Sequence, residues 1–128
     1  MPEHHAWHQI RELNRRVTDL GEPFALTDEL RALLRGTASE VAITPGEVAQ
    51  ALQDDASAAA LLKEIAKRIR VGSRRLSRAL TEANKRREEG DLEGARAPLQ
   101  ELLEREVVPF YRELAQLELD ALDALDAP

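Results

Sequence analysis

The sequence contains no cysteine and only four aromatic residues of the Trp, Tyr and Phe types among its 128 residues. Without cysteine, the chain can form neither a disulfide framework nor a thiolate metal site, and it has no thiol nucleophile. It also lacks an apolar run of the roughly 18 residues that a membrane span needs, and its first residues lack the basic start and apolar core of a signal peptide. We therefore expect a cytoplasmic protein that folds without disulfides or metal.

Motifs for catalysis are also missing. There is no Glu-x-x-His pair of a di-iron bundle, no His-Glu-x-x-His zinc motif and no Gly-rich phosphate loop. The three histidines, His4, His5 and His8, crowd the N-terminus. His4 and His8 have the spacing of a metal-binding pair, but no third ligand lies nearby, and a weakly capped helix start explains them. We expect a protein that is not an enzyme and holds no cofactor and no metal.

Charge is distributed unevenly along the chain, whose net charge is −6. Residues 1–62 carry 5 basic and 10 acidic side chains, residues 63–87 carry 10 and 2, and residues 88–128 carry 3 and 12. The net value therefore conceals a basic segment between two acidic ones. Such an asymmetry indicates which faces attract partners and says nothing about the fold.

Apolar residues recur at helical spacing along nearly the whole chain, and no segment alternates with the two-residue period of a strand. This pattern predicts an all-α protein, a compact bundle of five to six helices in a single domain of residues 1–128, with residues 1–6 and 123–128 frayed. Four predicted buried stripes are Trp7, Ile10, Leu13, Val17 and Leu20; Leu30, Leu33, Leu34, Ala38 and Val41; Leu92, Ala95, Leu99, Leu102 and Leu103; and Phe110, Leu114, Leu117, Ala121 and Leu125.

Capping residues mark where these helices begin and end. Thr27 and Thr44 are predicted N-caps, and Thr44 opens a capping box with Glu47 around Pro45. Gly21 and Gly90 are predicted to end helices in the left-handed conformation. Asp91 then caps the next helix, so that Gly90 and Asp91 form the turn of a C-terminal helical hairpin.

The longest predicted helix runs from about residue 56 to residue 89, with Asp54 or Asp55 as its cap. Its buried stripe keeps its phase through Gly72, which favours one bent helix, although a break at Gly72 is the alternative. Further along the chain, Pro98 is predicted to kink the fifth helix, and Pro109 either ends that helix or starts the last one. The residues of the long stripe are Leu62, Ile65, Ile69, Leu76, Leu80 and Ala83.

Five pieces of sequence carry a family resemblance when they are taken in order. They are Trp7, "GEP" from Gly21, "GSRRL" from Gly72, "GDLEGAR" from Gly90 and "EVVPFYRE" from Glu106. As a series they resemble the DUSAM domain, a myxobacterial family of unknown function. The resemblance spans Trp7 to Leu122. It implies a small domain encoded in several copies per genome, and it supplies no catalytic or binding residue.

The main surface feature of the predicted long helix is a row of cations, which we call the basic stripe. Its members lie within about 80° of one another on a helical wheel and extend over roughly 33 Å. Two interpretations are open: a solvated face partly neutralised by the acidic helices beside it, or a docking face for an acidic protein partner. The residues are Lys63, Lys67, Arg70, Arg74, Arg78 and Lys85.

Nucleic-acid binding through this stripe is the alternative function. The segment lacks the aromatic side chains on which bases stack. Residues 38–52 also resemble a helix-turn-helix, but its second helix exposes Glu47, Gln50 and Gln53 instead of cations, and acidic groups repel phosphates. The sequence therefore predicts a non-enzymatic protein-interaction module that acts as a regulatory, adaptor or immunity-type partner of another protein, or one that self-associates. Membrane binding and a small-molecule substrate are not indicated.

Overall fold

The computed structural model describes residues 4–126, with side chains described from His5 onward. Within that range it contains six α-helices and no strand, which confirms the predicted all-α class and helix number. The helices are α1 His4–Asn14, α2 Asp28–Glu40, α3 Pro45–Ala51, α4 Asp55–Glu88, α5 Leu92–Arg105 and α6 Pro109–Asp126. Residues 1–3 and 127–128, parts of the segments predicted to fray, lie outside the described residues.

Two compact units divide the chain, Met1–Arg70 and Val71–Pro128, and α4 runs through both. No break occurs at Gly72, so the prediction of one long helix is confirmed to within one residue at each end. The Asp54 carboxylate accepts the Ser57 N–H at 2.7 Å and caps α4. The Asp55 carboxylate instead accepts the Leu26 N–H at 3.0 Å and tethers the loop that precedes α2. The single domain of residues 1–128 stays a prediction.

The first unit packs α1, α2 and α3 with the first half of α4. Thr27 and Thr44 cap α2 and α3 as predicted, each accepting a backbone N–H three residues on. The Glu47 carboxylate accepts the hydroxyl of Thr44, so the two side chains of the predicted capping box also bond to each other. The Trp7 indole donates to Glu40 at 3.0 Å, which links α1 to the end of α2.

The predicted stripe of α1 is only half right. Trp7 and Ile10 are buried, Leu13 and Val17 are half-buried, and Leu20 is 59% exposed. The reason is a π-helical turn over Arg15–Asp19, in which the Leu20 N–H bonds the carbonyl five residues back. A π turn takes more residues than an α turn, so positions at α-helical spacing rotate away from the core.

The second unit packs the rest of α4 with α5 and α6, and the Gly90-Asp91 turn joins α4 to α5. Gly90 has φ +83°, and the Asp91 carboxylate accepts the Gly94 N–H at 2.8 Å, as the hairpin prediction requires. Pro109 begins α6. Arg96 on α5 binds both Asp123 and Asp126 on α6 at 3.0 and 3.1 Å, and these hydrogen bonds raise the pKa of Arg96.

The predicted buried face of α6 is wrong for three of its five residues, whereas Phe110 and Leu114 are half-buried. Leu117 and Leu125 are 64% and 60% exposed, and Ala121 is exposed as well. Because α6 carries apolar residues on two adjacent faces, helical spacing alone fits both of them, and packing against α5 selects the other. The buried side chains of α6 are Tyr111, Ala115, Leu119 and Leu122.

Candidate functional site

All six cations of the basic stripe are exposed. They lie on one uninterrupted helix, α4, with Lys63, Lys67 and Arg70 in the first unit and the other three in the second. Among the residues that the structure describes, no carboxylate lies within 4 Å of any of these six charged groups. The sequence left open whether neighbouring acidic helices neutralise the stripe. In the described part of the chain, no direct ion pair does so.

Three other arginines of α4 behave differently, and we call Arg68, Arg75 and Arg86 the bridging arginines. At 100° per residue they lie within about 20° of one another and roughly 110° from the middle of the basic stripe. This position borders the buried face of α4. Each guanidinium reaches a group on another helix or turn of its own unit, so these cations hold the structure together.

Arg68 and Arg86 donate to backbone carbonyls that have no helical partner. Arg68 binds the carbonyls of Val41 and Ala42 at 3.0 and 3.1 Å, where α2 has ended. Arg86 binds the carbonyl of Gly94 at 3.1 Å. That carbonyl lies four residues before Pro98, which has no N–H to donate to it. Each arginine thus satisfies an acceptor that the helix itself leaves open.

Arg75 pairs with Glu106, whose side chain is only 1% exposed, at 2.7 Å. The second carboxylate oxygen of Glu106 accepts the Val108 N–H at 3.0 Å. Gly72, one turn before Arg75, lies against the same group: a Cβ at this position would overlap the ring of Tyr111 and lie 2.8 Å from Oε2 of Glu106. Gly72 is therefore a site of close approach, and it allows α4 to pack on the start of α6.

Sequence reasoning missed this cluster of Gly72, Arg75, Glu106 and Tyr111. Its signal was present as a glycine in the middle of a helix and as an acid directly before the apolar pair Val107 and Val108. A mid-helix glycine is compatible with either a bend or a close contact. Only the three-dimensional packing distinguishes these two roles.

A groove of about 410 Å³ lies beside this cluster, between α4 and α5. Arg75, Arg78 and Arg105 line it together with Glu101, and its apolar lining includes Val71 and Pro98. Arg78 belongs to the basic stripe, so the groove continues from the stripe within the second unit. Arg105 contacts Glu101 at 3.6 Å, but both side chains are more than 60% exposed, and such a pair is weak.

The remaining sequence candidates gain no further support. His5 and His8 lie on α1, the His4 side chain lies outside the described residues, and the described residues contain no group of three potential metal ligands. In the helix-turn-helix resemblance, Glu47, Gln50 and Gln53 are all exposed, so the predicted outer face of this element carries no cation. None of the described helices is long and apolar enough to cross a membrane.

Residues 5–122 match a protein family described as "Protein of unknown function (DUF2379)". The chain belongs to this family. The match includes nearly all of both units, and it confirms the sequence-based expectation of an uncharacterised family. No curated protein and no solved structure matches the chain.

Three of the sequence pieces that carried the resemblance lie in the second unit, within the residues that match DUF2379. "GSRRL" contributes Gly72 and Arg75, and "EVVPFYRE" contributes Glu106 and Tyr111, so these two pieces meet in one packed cluster. "GDLEGAR" contains the turn residue Gly90, the cap Asp91 and Arg96, whose ion pairs connect α5 to α6. In this chain, these contacts of the three pieces hold the second unit together.

Proposed function

We propose that this protein is a non-enzymatic cytoplasmic interaction module whose basic stripe binds an acidic surface of another protein. The observation that carries the proposal is the exposure of all six cations along one helix, with no ion pair to any described residue. A regulatory, adaptor or immunity-type role is consistent with such a module. The narrower assignment to the DUSAM family of myxobacteria also stays a proposal.

Like-charge spacing supports this function. Lys63 and Lys67 are four residues apart, and so are Arg70, Arg74 and Arg78 in succession. Each such pair destabilises a helix by roughly 0.2–0.5 kcal/mol, because its members lie on the same face. Folding of this chain alone gains nothing from concentrating these charges there. An acidic partner would relieve the repulsion, and electrostatic attraction would also speed the encounter.

Charge and composition favour a protein partner over nucleic acid. The whole chain has a net charge of −6, and the acidic segments on either side of the stripe repel a long polyanion. The stripe also carries no aromatic residue on which a base could stack. An acidic patch on a protein can be confined to the length of the stripe, so that it contacts the stripe without extending over the acidic segments.

Affinity capture from the source cell tests this function with two variants of equal charge change. The first variant, Arg70→Glu/Arg74→Glu/Arg78→Glu, reverses three stripe cations. The control, Arg11→Glu/Arg16→Glu/Arg35→Glu, reverses three exposed cations elsewhere. We expect a protein that copurifies stoichiometrically with the wild type and the control, and whose purified form loses binding to the stripe variant in a direct titration. Equal binding to both variants would contradict the proposal.

Fluorescence anisotropy with a labelled DNA duplex tests the alternative on the same proteins. We expect no measurable binding at physiological salt. If the stripe bound phosphates, affinity would fall steeply with salt, because each neutralised phosphate releases roughly 0.9 counterion. A salt-sensitive complex of micromolar or better affinity, abolished by the stripe variant and kept by the control, would replace the protein-binding proposal with nucleic-acid binding.

A further inference from the structure

The groove between α4 and α5 in the second unit has the composition of a binding site for a carboxylate attached to an apolar body. Its volume of about 410 Å³ accommodates a few side chains of a partner. Its charged lining includes Arg75, Arg78 and Arg105, and its apolar lining includes Val71, Pro98 and Leu102. We infer that this groove anchors an acidic and apolar segment of the partner protein, an inference that rests on the proposed function of the basic stripe.

Arg75 supplies a preorganised donor in this groove. Its bond to the buried carboxylate of Glu106 uses Nη1, and the side chain remains 34% exposed. A guanidinium has five N–H donors in a fixed fork, so the donors that Glu106 does not use remain for a ligand. Because Glu106 already holds the side chain in place, binding a carboxylate costs Arg75 little conformational freedom.

Arg78 and Arg105 supply cations that are not held by the structure. Arg78 has no ion pair within the described residues, and Arg105 has only the exposed contact with Glu101. Together with Arg75 they bring three positive charges, against the two negative charges of Glu101 and Glu106. One positive charge is left over. A single carboxylate neutralises it, whereas a phosphate dianion would leave an excess of negative charge.

The apolar part of the lining determines what accompanies that carboxylate. Val71 and Ala79 come from α4, and Pro98 and Leu102 come from α5. A fully hydrated anion would leave these side chains in contact with water, whereas an aliphatic side chain next to the carboxylate would cover them. A segment that alternates Leu and Glu meets both requirements. The position of Arg78 makes the groove continuous with the stripe, which would bind further acids of the same partner.

The test is an NMR titration of the ¹⁵N-labelled full chain at physiological salt. The probe is an N-acetylated, C-amidated octapeptide of alternating Leu and Glu, and the matched probe replaces every Glu with Gln. We expect the Glu peptide to bind with a dissociation constant in the millimolar range or lower and to shift the amide signals of Val71, Ala79 and Leu102. We expect the Gln peptide to bind at least about tenfold more weakly, as the loss of a charge-assisted hydrogen bond implies.

Arg105→Gln is the decisive variant because Arg105 lies outside the stripe and is exposed, so its replacement leaves the fold intact. It is expected to weaken binding of the Glu peptide about tenfold, while Arg11→Gln, on α1, leaves binding unchanged. Equal binding by the two peptides, or shifts confined to residues outside the groove, would overturn the inference. Octanoate binding in the groove without peptide binding would also overturn it, in favour of a small carboxylate ligand.

These outcomes are separable from the failure of the proposed function. Arg105→Gln leaves all six stripe cations in place. A captured partner that binds this variant as tightly as the wild type, but no longer binds the stripe variant, would refute binding in the groove and keep the docking stripe. The variant Lys63→Glu/Lys67→Glu/Arg70→Glu reverses three stripe cations and leaves every residue of the groove in place. A partner that binds this variant as tightly as the wild type and binds Arg105→Gln more weakly would refute the docking stripe and keep the groove.

Discussion

Two rows of cations on α4 differ in what surrounds them, although they lie on one helix and both contain arginines. The basic stripe is exposed along its length and forms no ion pair with any described residue. The bridging arginines reach carbonyls or a buried carboxylate elsewhere in their own unit. Arg74 and Arg75 are adjacent in sequence and belong to different rows.

Helical phase accounts for this difference. Successive residues of an α-helix are 100° apart, so Arg75 borders the buried face of α4 while Arg74 is directed to solvent. A long side chain at such a border can cover apolar surface with its methylene groups and still bring its charged end to an acceptor. The comparison teaches that a count of basic residues in this segment mixes structural cations with cations that are available for binding.

The largest difference between the rows is expected at these two neighbours. Arg75→Gln removes the partner of the buried Glu106 carboxylate and should lower the free energy of unfolding by about 3 kcal/mol, as the breaking of buried pairs does elsewhere. Arg74→Gln should change it by less than about 0.5 kcal/mol, because the residue is exposed and forms no ion pair with any described residue. Urea unfolding of both variants measures the difference. Equal losses would show that the two rows do not differ in role.

Helical phase also distinguishes the two apolar faces of α6, and the expected difference in the free energy of unfolding is slightly smaller. Leu119→Ala opens a cavity at a buried position and should cost about 2–3 kcal/mol. Leu117→Ala, at a 64% exposed position, should cost less than about 1 kcal/mol. Thermal and urea unfolding compare the two directly. A larger loss for Leu117→Ala would restore the face that helical spacing alone had predicted.

Gly72 tests the packing of α4 beside the bridging residue Arg75. Gly72→Ala places a methyl group against Tyr111 and Glu106 and should destabilise the protein by about 1–3 kcal/mol through overpacking. The matched control is Gly36→Ala in α2, where a Cβ meets nothing within 4 Å. That control should gain roughly 0.5–1 kcal/mol from higher helix propensity. If Gly72→Ala were also stabilising, the close approach would be wrong.

The smallest expected effect lies at the start of α4. Hydrogen bonds from the backbone and side chain of Ser57 lower the pKa of the Asp54 carboxyl below its ordinary value. A lowered folded-state pKa stabilises the protein above the unfolded-state pKa, and this contribution is lost as pH falls through the folded-state pKa. Between pH 5 and 2.5, wild type should therefore lose more stability than Asp54→Asn, which keeps a capping side chain without titrating. Parallel pH profiles would contradict this role.

Local signals predicted most of the helix boundaries. Thr27, Thr44, Asp91 and Gly90 act where the sequence placed them, because a cap or a left-handed turn depends on atoms within a few residues. The exposure of the basic stripe also followed from spacing, since α4 stays regular over its whole length.

The errors have in common that apolar spacing does not contain the feature that decides the outcome. The π turn at Arg15–Asp19 shifts the phase of the α1 stripe, and apolar spacing does not reveal such a turn in advance. On α6, two adjacent faces are apolar, and α5 decides which one is buried. The role of Gly72 depends on Tyr111, almost forty residues away in sequence. The groove depends on how α4 and α5 pair, so helical spacing placed Arg78 in the basic stripe and gave no role to Arg75 and Arg105.

Urea unfolding of Arg70→Gln/Arg74→Gln/Arg78→Gln tests the central claim most directly, namely that the basic stripe is not needed to hold the fold together. Neutralising three cations spaced four residues apart removes two like-charge pairs, each costing roughly 0.2–0.5 kcal/mol. The account predicts a free energy of unfolding equal to that of the wild type or higher by up to about 1 kcal/mol. A loss of more than about 1 kcal/mol would show that the stripe stabilises the structure, and the claim would be wrong.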